Sequence, residues 1–304
     1  MTQTVRDLHG SGGVQIVAVW GGAPDPDGAA LAETARRLEG MGFFGLVVPD
    51  APGQSSAVMP TLAWAAASTT TLGIGTYVLH TDLHHPLRVA RDTAALHALS
   101  GGRFTLGLGV GRPQAERDRR AFGVAPDSTA DRLRHLDQTI VALDALFAEE
   151  AVTESIGIWQ MEEATLSTPT PYGMPPLLLA AQGDRMLRLA ARRADWIALA
   201  LDPLATIDMV RERIAFARAE ANRSGRQPGF ALSVAAIGSR MHPWLRSRLT
   251  GHLASDGRHP AILPEEPGAL REAIQRLRDD LGITRLVIAP EHIEPVAAII
   301  PALG

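Results

Sequence analysis

The chain has 304 residues, of which 46% are hydrophobic and 20% charged, a balance that argues against an intrinsically disordered chain. A net charge of −4 gives no basic surface for nucleic acid, and the absence of cysteine excludes disulfides, thiolate metal sites and a cysteine nucleophile. Residues 1–13 lack the apolar core of a signal peptide. No run reaches the roughly 18 apolar residues of a membrane span, so we expect a cytoplasmic protein without membrane contact.

Predicted strands and helices alternate along the whole chain. Eight strands are expected: Val14 to Trp20, Phe43 to Val48, two within Leu72 to Gly111, Pro176 to Ala181, Trp196 to Leu201, Phe230 to Ile237, and Thr284 to Ala289. The helices between them are Gly28 to Gly40, Pro60 to Thr69, Pro86 to Leu99, Ser128 to Glu149, Arg185 to Arg193, Ala205 to Asn222 and Leu270 to Leu281, followed by a closing helix.

Two segments interrupt this alternation. Ala151 to Pro171 mixes polar and β-prone residues and predicts a short excursion, such as a hairpin, before strand five. Met241 to Glu266 is irregular and predicts an insertion after strand seven. Eight strand-helix pairs without a linker favour a single-domain (β/α)8 TIM barrel over residues 1–304, with a doubly wound sheet as the alternative.

Glycine alternates along the third and fourth predicted strands. Gly107, Gly109 and Gly111 share one face of strand four, and Gly73 and Gly75 share one face of strand three. Glycine inside a strand often marks the close approach of a ligand or of another backbone. We therefore expect the two bare faces to form a bed for a flat cofactor.

Side chains at the carboxyl ends of barrel strands are the usual source of binding and catalytic groups. Trp20 ends strand one, and we expect it to line an apolar substrate pocket. His80, Asp82, His84 and His85 cluster after strand three, but no matching ligands recur at later strand ends, so no metal site is predicted. His85, immediately before Pro86, is interpreted as a structural turn residue.

The stretch LGIGTYVLHTDLHHPLRVARDTAALHALSGGRFTLGLGVG, followed by FGV and a helix beginning DRLRHLDQTI, resembles the bacterial luciferase-like family. The later stretch MPPLLLAAQGDRMLRLAARRADWIALAL is similar to strand five, helix five and strand six of that family. The family comprises monooxygenases and reductases that use FMN or the deazaflavin coenzyme F420. The resemblance implies a barrel, usually a homodimer, with the flavin ring at the carboxyl ends of the strands.

The resemblance also implies contacts with the cofactor. Thr76, Tyr77 and Val78 match a segment in which family members often carry a non-proline cis peptide behind the central flavin ring. The remaining predicted contacts lie at the end of strand four and at the opening of helix five: Val110, Gly111, Arg112, Gln182, Gly183, Asp184 and Arg185. Free amides at a helix N-terminus suit a phosphate, and Arg185 or Arg112 is expected to offset the charge of Asp184.

Two departures from the family concern catalysis. Many relatives have a histidine directly after an acidic residue that follows strand two, whereas this chain has Ala51 after Asp50. Deazaflavin-dependent sugar dehydrogenases of the family add a glutamate just after strand four, where this chain has Arg112. Acid or base groups must therefore come from elsewhere, and Asp50 and His80 are the main candidates.

The Asp82, His84 and Glu116 side chains are further candidates for acid or base groups. The prediction is an oxidoreductase that uses F420 to transfer a hydride to or from a small organic substrate. An FMN-dependent two-component monooxygenase and a non-catalytic flavin-binding relative are the alternatives.

Overall fold

The structure is a computed structural model that describes residues 13–21, 27–52, 55–111, 116–125, 127–167, 170–241, 243–248 and 257–303. Eight strands of one sheet carry the fold, and we number them in chain order. They are β1 (Gln15–Val19), β2 (Gly45–Val48), β3 (Gly73–Thr76), β4 (Phe104–Gly109), β5 (Leu177–Ala181), β6 (Trp196–Leu199), β7 (Gly229–Ser233) and β8 (Ile283–Ile288).

A helix follows each strand. These helices are α1 (Gly28–Gly40), α2 (Val58–Ser68), α3 (Pro86–Leu99), α4 (Thr129–Phe147), α5 (Asp184–Arg193), α6 (Ile207–Arg223), α7 (Pro267–Leu281) and α8 (Ile293–Ala297). Local chemistry sets several of their ends. The Ser128 hydroxyl accepts the Asp131 N–H at the start of α4, and Gly282 ends α7 in the left-handed conformation.

The sheet has nine strands, in the order β3-β2-β1-β8-β7-β6-β5-β4 followed by the two-residue strand Leu79–His80, which pairs in parallel with β4. An additional parallel pairing of β3 with β4, with Ile74 opposite Phe104, closes this order. The pairings of β8 with β1 and β7, and of β4 with β5, are also parallel. Closed order with alternating helices confirms the predicted (β/α)8 barrel and excludes the doubly wound sheet.

Both predicted interruptions are present. Val152–Ile156 and Trp159–Ala164 form an antiparallel hairpin before β5. After β7, the short strands Ala236–Ile237, Arg240–Met241 and Ile262–Leu263 form a separate small sheet. Strand seven is therefore shorter than predicted, because the N–H groups of Ala235 and Ala236 donate to the Ala261 carbonyl instead of continuing in the barrel.

The chain groups into two compact units. The first comprises Met1–Gly21, Arg37–Leu46 and Ala180–Gly304. In its core, the buried Arg285 guanidinium lies 3.8 Å from the centre of the Trp196 ring and donates two hydrogen bonds to Oε1 of Gln15, at 2.9 and 2.7 Å.

The second unit comprises Gly22–Arg36 and Val47–Leu179. Fully buried apolar side chains from β4 and α4 form much of its core: Phe104, Leu106, Leu108, Leu136 and Ile140. That residues 1–304 form a single domain stays a prediction. Among the helices of the described residues, none has the length and apolar character needed to cross a membrane.

Candidate functional site

In the second unit, the end of β2 is hydrogen-bonded to the segment that follows β3. The Tyr77 N–H donates to the Val48 carbonyl at 2.9 Å. The next peptide bond, Tyr77–Val78, is cis, which confirms the cis peptide expected within this tripeptide. The side chains of both residues are half-buried, so this backbone turn lies at the surface of the unit.

The Asp50 carboxylate lies after β2 and is buried. It is 8% exposed, and its Oδ2 accepts the His80 backbone N–H at 3.0 Å and a hydrogen bond from His84 Nε2 at 2.8 Å. Burial acts to raise the pKa of Asp50, but the hydrogen bond and charge of His84 and the His80 contacts outweigh it, so the pKa lies below its ordinary value. Asp50 is therefore held as a carboxylate.

The two neighbouring histidines differ in exposure. His80 is 6% exposed and contacts Asp50 through its backbone, whereas the His84 side chain is 31% exposed. His84 follows the 3-10 turn Thr81–Leu83. The structure therefore pairs Asp50 with the imidazole of His84, and His80, the histidine named as the main candidate from sequence, stays a prediction.

Ala51 follows Asp50, at the position where the family resemblance implies a histidine. Its N–H donates to the Ser55 hydroxyl at 3.2 Å, and that hydroxyl also lies 2.9 Å from the Pro49 carbonyl. Sequence reasoning missed Ser55, because a serine in a loop carries no signal of the backbone groups that it will meet.

Thr76 and Gly107 join β3 to β4. The buried Thr76 hydroxyl donates to the Gly107 carbonyl at 2.7 Å and accepts the Gly107 N–H at 2.8 Å. A Cβ on Gly107 would lie 2.1 Å from the Thr76 carbonyl oxygen and 3.1 Å from a Val78 methyl group. The Thr76 side chain is thus engaged within the protein.

At two of the glycines, these contacts correct the prediction that the bare strand faces receive a flat cofactor. The space beside Gly107 is filled by the backbone of Thr76, and a Cβ on Gly75 would lie 2.9 Å from the Thr105 carbonyl oxygen. Both glycines allow neighbouring backbone to approach closely, which is the other reason for glycine within a strand. At these two positions the bare strand face receives protein and not a cofactor.

A buried ion pair fixes the segment beyond β4. Arg119, from the short helix Glu116–Ala121, pairs through Nε with Asp82, and the two side chains are 4% and 3% exposed. Arg119 Nη2 also donates to the Val110 carbonyl at 3.1 Å. Gly111 has φ +73°, and a Cβ there would lie 2.5 Å from Arg119 Nη2.

Val110 and Gly111 are half-buried, and Arg112 lies outside the described residues. Sequence reasoning missed Arg119, since in ERDRRAFG it is one of three similar arginines. His135 of α4 adjoins this cluster: burial lowers its pKa, although the charges of Asp82 and Asp127 act to raise it.

The turns at both ends of α3 are held by local contacts, and His85 has the structural role predicted for it. His85 caps α3, with its Nδ1 accepting the Leu87 N–H at 3.2 Å. Gly101 and Gly102 both have positive φ, and Arg103 donates to the carbonyls of Ser100 and Ala66. The described residues contain no group of three side chains of the kind that holds a metal ion.

In the first unit, the predicted phosphate contacts surround the start of α5. Gln182, Gly183, Asp184 and Arg185 are all exposed, and no side chain caps this helix end. Asp184 forms an ion pair with Arg213 Nη1 at 2.6 Å. Arg213 of α6, and not Arg185, is therefore the described arginine that offsets the charge of Asp184.

Trp20 follows β1 and is half-buried. Its indole Nε1 is buried and has no hydrogen-bond partner within the described part of the chain. A buried indole N–H usually has a partner. The Trp20 N–H is therefore an unpaired buried donor, at the carboxyl end of a barrel strand.

Closed strand order, an acidic group after β2 and a cis peptide after β3 define a (β/α)8 barrel protein with polar chemistry at the carboxyl ends of its strands. Residues 12–291 match the family model described as luciferase-like monooxygenase. Because this match covers more than half of the chain, the chain belongs to the luciferase-like monooxygenase family.

Three comparisons illustrate this membership. The chain is 35% identical over 148 residues to the F420-dependent glucose-6-phosphate dehydrogenase of Beutenbergia cavernae. This alignment covers 47% of this chain and 42% of that protein. It is 31% identical over 166 residues to the 4-hydroxyprotoasukamycin monooxygenase of Streptomyces nodosus subsp. asukaensis, covering 53% and 44%. The matches thus span about half the length of these relatives.

The third comparison is structural. The chain is similar to an F420-dependent secondary alcohol dehydrogenase, solved in complex with an F420-acetone adduct, with a TM-score of 0.76. Sequence identity is 17%, and the alignment covers 96% of this chain and 99% of the other. At this identity, the similarity shows the shared fold.

Proposed function

We propose that this protein is an F420-dependent oxidoreductase acting on a small organic substrate. The observation that carries the choice of cofactor is the 35% identity to a relative named as an F420-dependent dehydrogenase. Every relative reported above is named as an oxidoreductase. Because the matches span only half of the curated relatives, their substrates are not transferred to this chain.

The residues at the strand ends fit such a cofactor. In the second unit, the half-buried Tyr77, Val78, Val110 and Gly111 offer backbone and apolar surface to the flavin ring and ribityl chain. The Thr76 hydroxyl is already hydrogen-bonded to the carbonyl and the N–H of Gly107. Thr76 is therefore proposed to contribute by joining β3 to β4. Arg112 remains part of the proposed contact set on the basis of its position after β4.

The start of α5 is the proposed phosphate site. The N-cap residue Gly183 makes no side-chain hydrogen bond to the first turn, so the amides at this helix end are open to an anion. Pairing of Asp184 with Arg213 reduces the repulsion that a phosphate would meet there. Gln182 and Arg185 supply further donors.

When bound, the deazaflavin supplies hydride transfer. The protein must then orient the substrate, exclude water and handle the accompanying proton. Trp20 is proposed to line the apolar part of the substrate pocket. Asp50 and His80 are both kept as candidates for proton handling, and Asp50 also contacts the imidazole of His84.

An FMN-dependent two-component monooxygenase is the second candidate. It is favoured by the 31% identity to the 4-hydroxyprotoasukamycin monooxygenase. A third possibility is a flavin-binding relative without turnover, for which the methyl group of Ala51 at the usual histidine position is the supporting observation. Both alternatives keep the barrel and differ from the main proposal in cofactor or in turnover.

Titration of the purified chain with F420 and FMN, followed by fluorescence, separates these candidates. We expect micromolar binding of F420 and weaker binding of FMN. Comparison with each chromophore lacking its phosphate measures the contribution of the α5 start. Micromolar binding of neither cofactor would contradict both enzyme proposals.

Turnover is then measured from the absorbance of oxidised F420 during incubation with a panel of primary and secondary alcohols, and in reverse from reduced F420 with the matching carbonyl compounds. Oxygen consumption with reduced FMN instead would favour the monooxygenase. Tight binding without either reaction would favour the non-catalytic relative. A homodimer and a cytoplasmic location remain predictions, testable by light scattering and fractionation.

A further inference from the structure

The described part of the second unit contains one carboxylate that holds a half-exposed imidazole, and it lies at the carboxyl end of a barrel strand. Oδ2 of Asp50 is 2.8 Å from Nε2 of His84. The carboxylate is 8% exposed and the imidazole 31% exposed. One partner is thus shielded from water while the other reaches the surface.

The hydrogen bond determines which ring nitrogen carries a proton. A carboxylate only accepts hydrogen bonds, so Nε2 of His84 must be the donor. In the neutral imidazole, Nδ1 then has a free lone pair, and in the charged imidazole it carries the second proton. No described residue hydrogen-bonds to Nδ1 of His84, which leaves this atom available to a bound molecule.

The surroundings favour His84 over the other titratable groups that lie nearby. His80 contacts Asp50 through its backbone, and its side chain is buried. Asp82 is engaged by Arg119, and His85 is engaged as the cap of α3. Ala51, next to Asp50, contributes no proton-carrying group.

Resting on the proposed function, we propose that His84 takes and gives the proton that accompanies hydride transfer, and that Asp50 is its positioning residue. In substrate oxidation, the substrate O–H bond breaks and its proton passes to Nδ1 of His84. The carbon-hydrogen bond breaks with its electron pair leaving as hydride to the deazaflavin, and the carbonyl bond forms. His84 then releases the proton to solvent, which its exposed side reaches, and reduction follows the reverse order.

The first test uses the ligand-free chain and needs no turnover. Nitrogen-15 NMR of the histidine rings reports which nitrogen is protonated. We expect the neutral His84 ring to carry its proton on Nε2, and Asp50→Asn to convert it to a mixture of the two forms. A proton on Nδ1 in the unmodified chain would overturn the proposal.

The second test compares His84→Gln with His85→Asn, which keeps a cap for α3. We expect His84→Gln to lower kcat by roughly 10²–10⁴-fold, to remove one limb of the pH profile, and to leave F420 affinity within about threefold. Added imidazole should restore part of the activity of His84→Ala, while Asp50→Asn should lower kcat by about 10²-fold by misplacing the ring. His85→Asn should keep the pH profile of the unmodified chain.

The failure of this assignment and the failure of the proposed function are distinguishable. If the unmodified chain neither binds F420 nor turns it over, the proposed function is wrong and this assignment falls with it. If the unmodified chain is active and His84→Gln is equally active with the same pH profile, only the assignment of His84 is wrong.

Discussion

Replacement of Arg119 by Met tests whether the buried ion pair holds the segment beyond β4. Arg119 and Asp82 are 4% and 3% exposed, so neither charge is well solvated. Removal of the guanidinium leaves the Asp82 charge buried without its ion partner, and such a loss costs about 3–5 kcal/mol. The Val110 carbonyl also loses its donor at 3.1 Å, which adds about 1 kcal/mol.

The matched control is Arg88→Met. Arg88 pairs with Asp92 on α3 at 2.8 Å, but the two side chains are 74% and 33% exposed. Solvated i,i+4 pairs contribute about 0.3–0.5 kcal/mol. Each variant therefore breaks one Arg–Asp ion pair in the same unit, and the two ion pairs differ mainly in the burial of their charges.

Urea unfolding at neutral pH, followed by circular dichroism, measures both free energies of unfolding. We expect Arg119→Met to lose several kcal/mol and Arg88→Met to lose far less, because solvent screens the exposed pair. The double variant Asp82→Leu with Arg119→Met should recover part of the loss, since no charge is then buried. Equal losses in the two single variants would refute the reasoning from burial.

Three further predictions concern single side chains. Gly107→Ala should destabilise by about 1–3 kcal/mol or more, because its Cβ would lie 2.1 Å from the Thr76 carbonyl oxygen, whereas Gly40→Ala, with nothing within 4 Å, should stay within about 0.5 kcal/mol in urea unfolding. Burial lowers the pKa of His97 to about 4. Between about pH 6.5 and 4, His97 is therefore protonated in the unfolded chain and neutral in the folded chain, so stability decreases as the pH is lowered. Stability should therefore fall by about 3 kcal/mol over that range, and His97→Leu should remove the fall; an unchanged pH dependence of the melting temperature would contradict this. The pKa of Asp50 is lowered in the folded chain, so its contribution to stability is present above about pH 4 and is lost as the pH falls through its folded value. Asp50→Asn should therefore destabilise at pH 7 and progressively less as the pH is lowered below about 4, and a loss that does not change with pH would contradict the pairing with His84.

The sequence alone predicted the order of the barrel elements, because the pattern that forms them is local. Helix α3 begins and ends where Pro86 and Leu99 predicted, since proline suits the first turn and the Gly-Gly turn stops the helix. Strand seven ended earlier than predicted, because its last apolar residues pair in a separate sheet that no local pattern reveals.

The contacts around the candidate site could be predicted from the sequence only in part. Asp50 after β2 and the cis peptide among Thr76, Tyr77 and Val78 were found from the motif that resembles the family. The partner of Asp50 was not found, because His84 is 34 residues away in the chain and no local pattern shows which histidine side chain reaches the carboxylate.

The sequence by itself determined the fold class and the strand ends at which functional groups collect, since periodicity and turn residues act within a few positions. Only the tertiary structure decided what the glycines are for and how the charges pair. Gly107 receives the backbone of Thr76, and Arg119 reaches Asp82 across 37 positions. Close approach and burial depend on which distant segments meet, and that is a property of the folded chain and not of any local stretch of it.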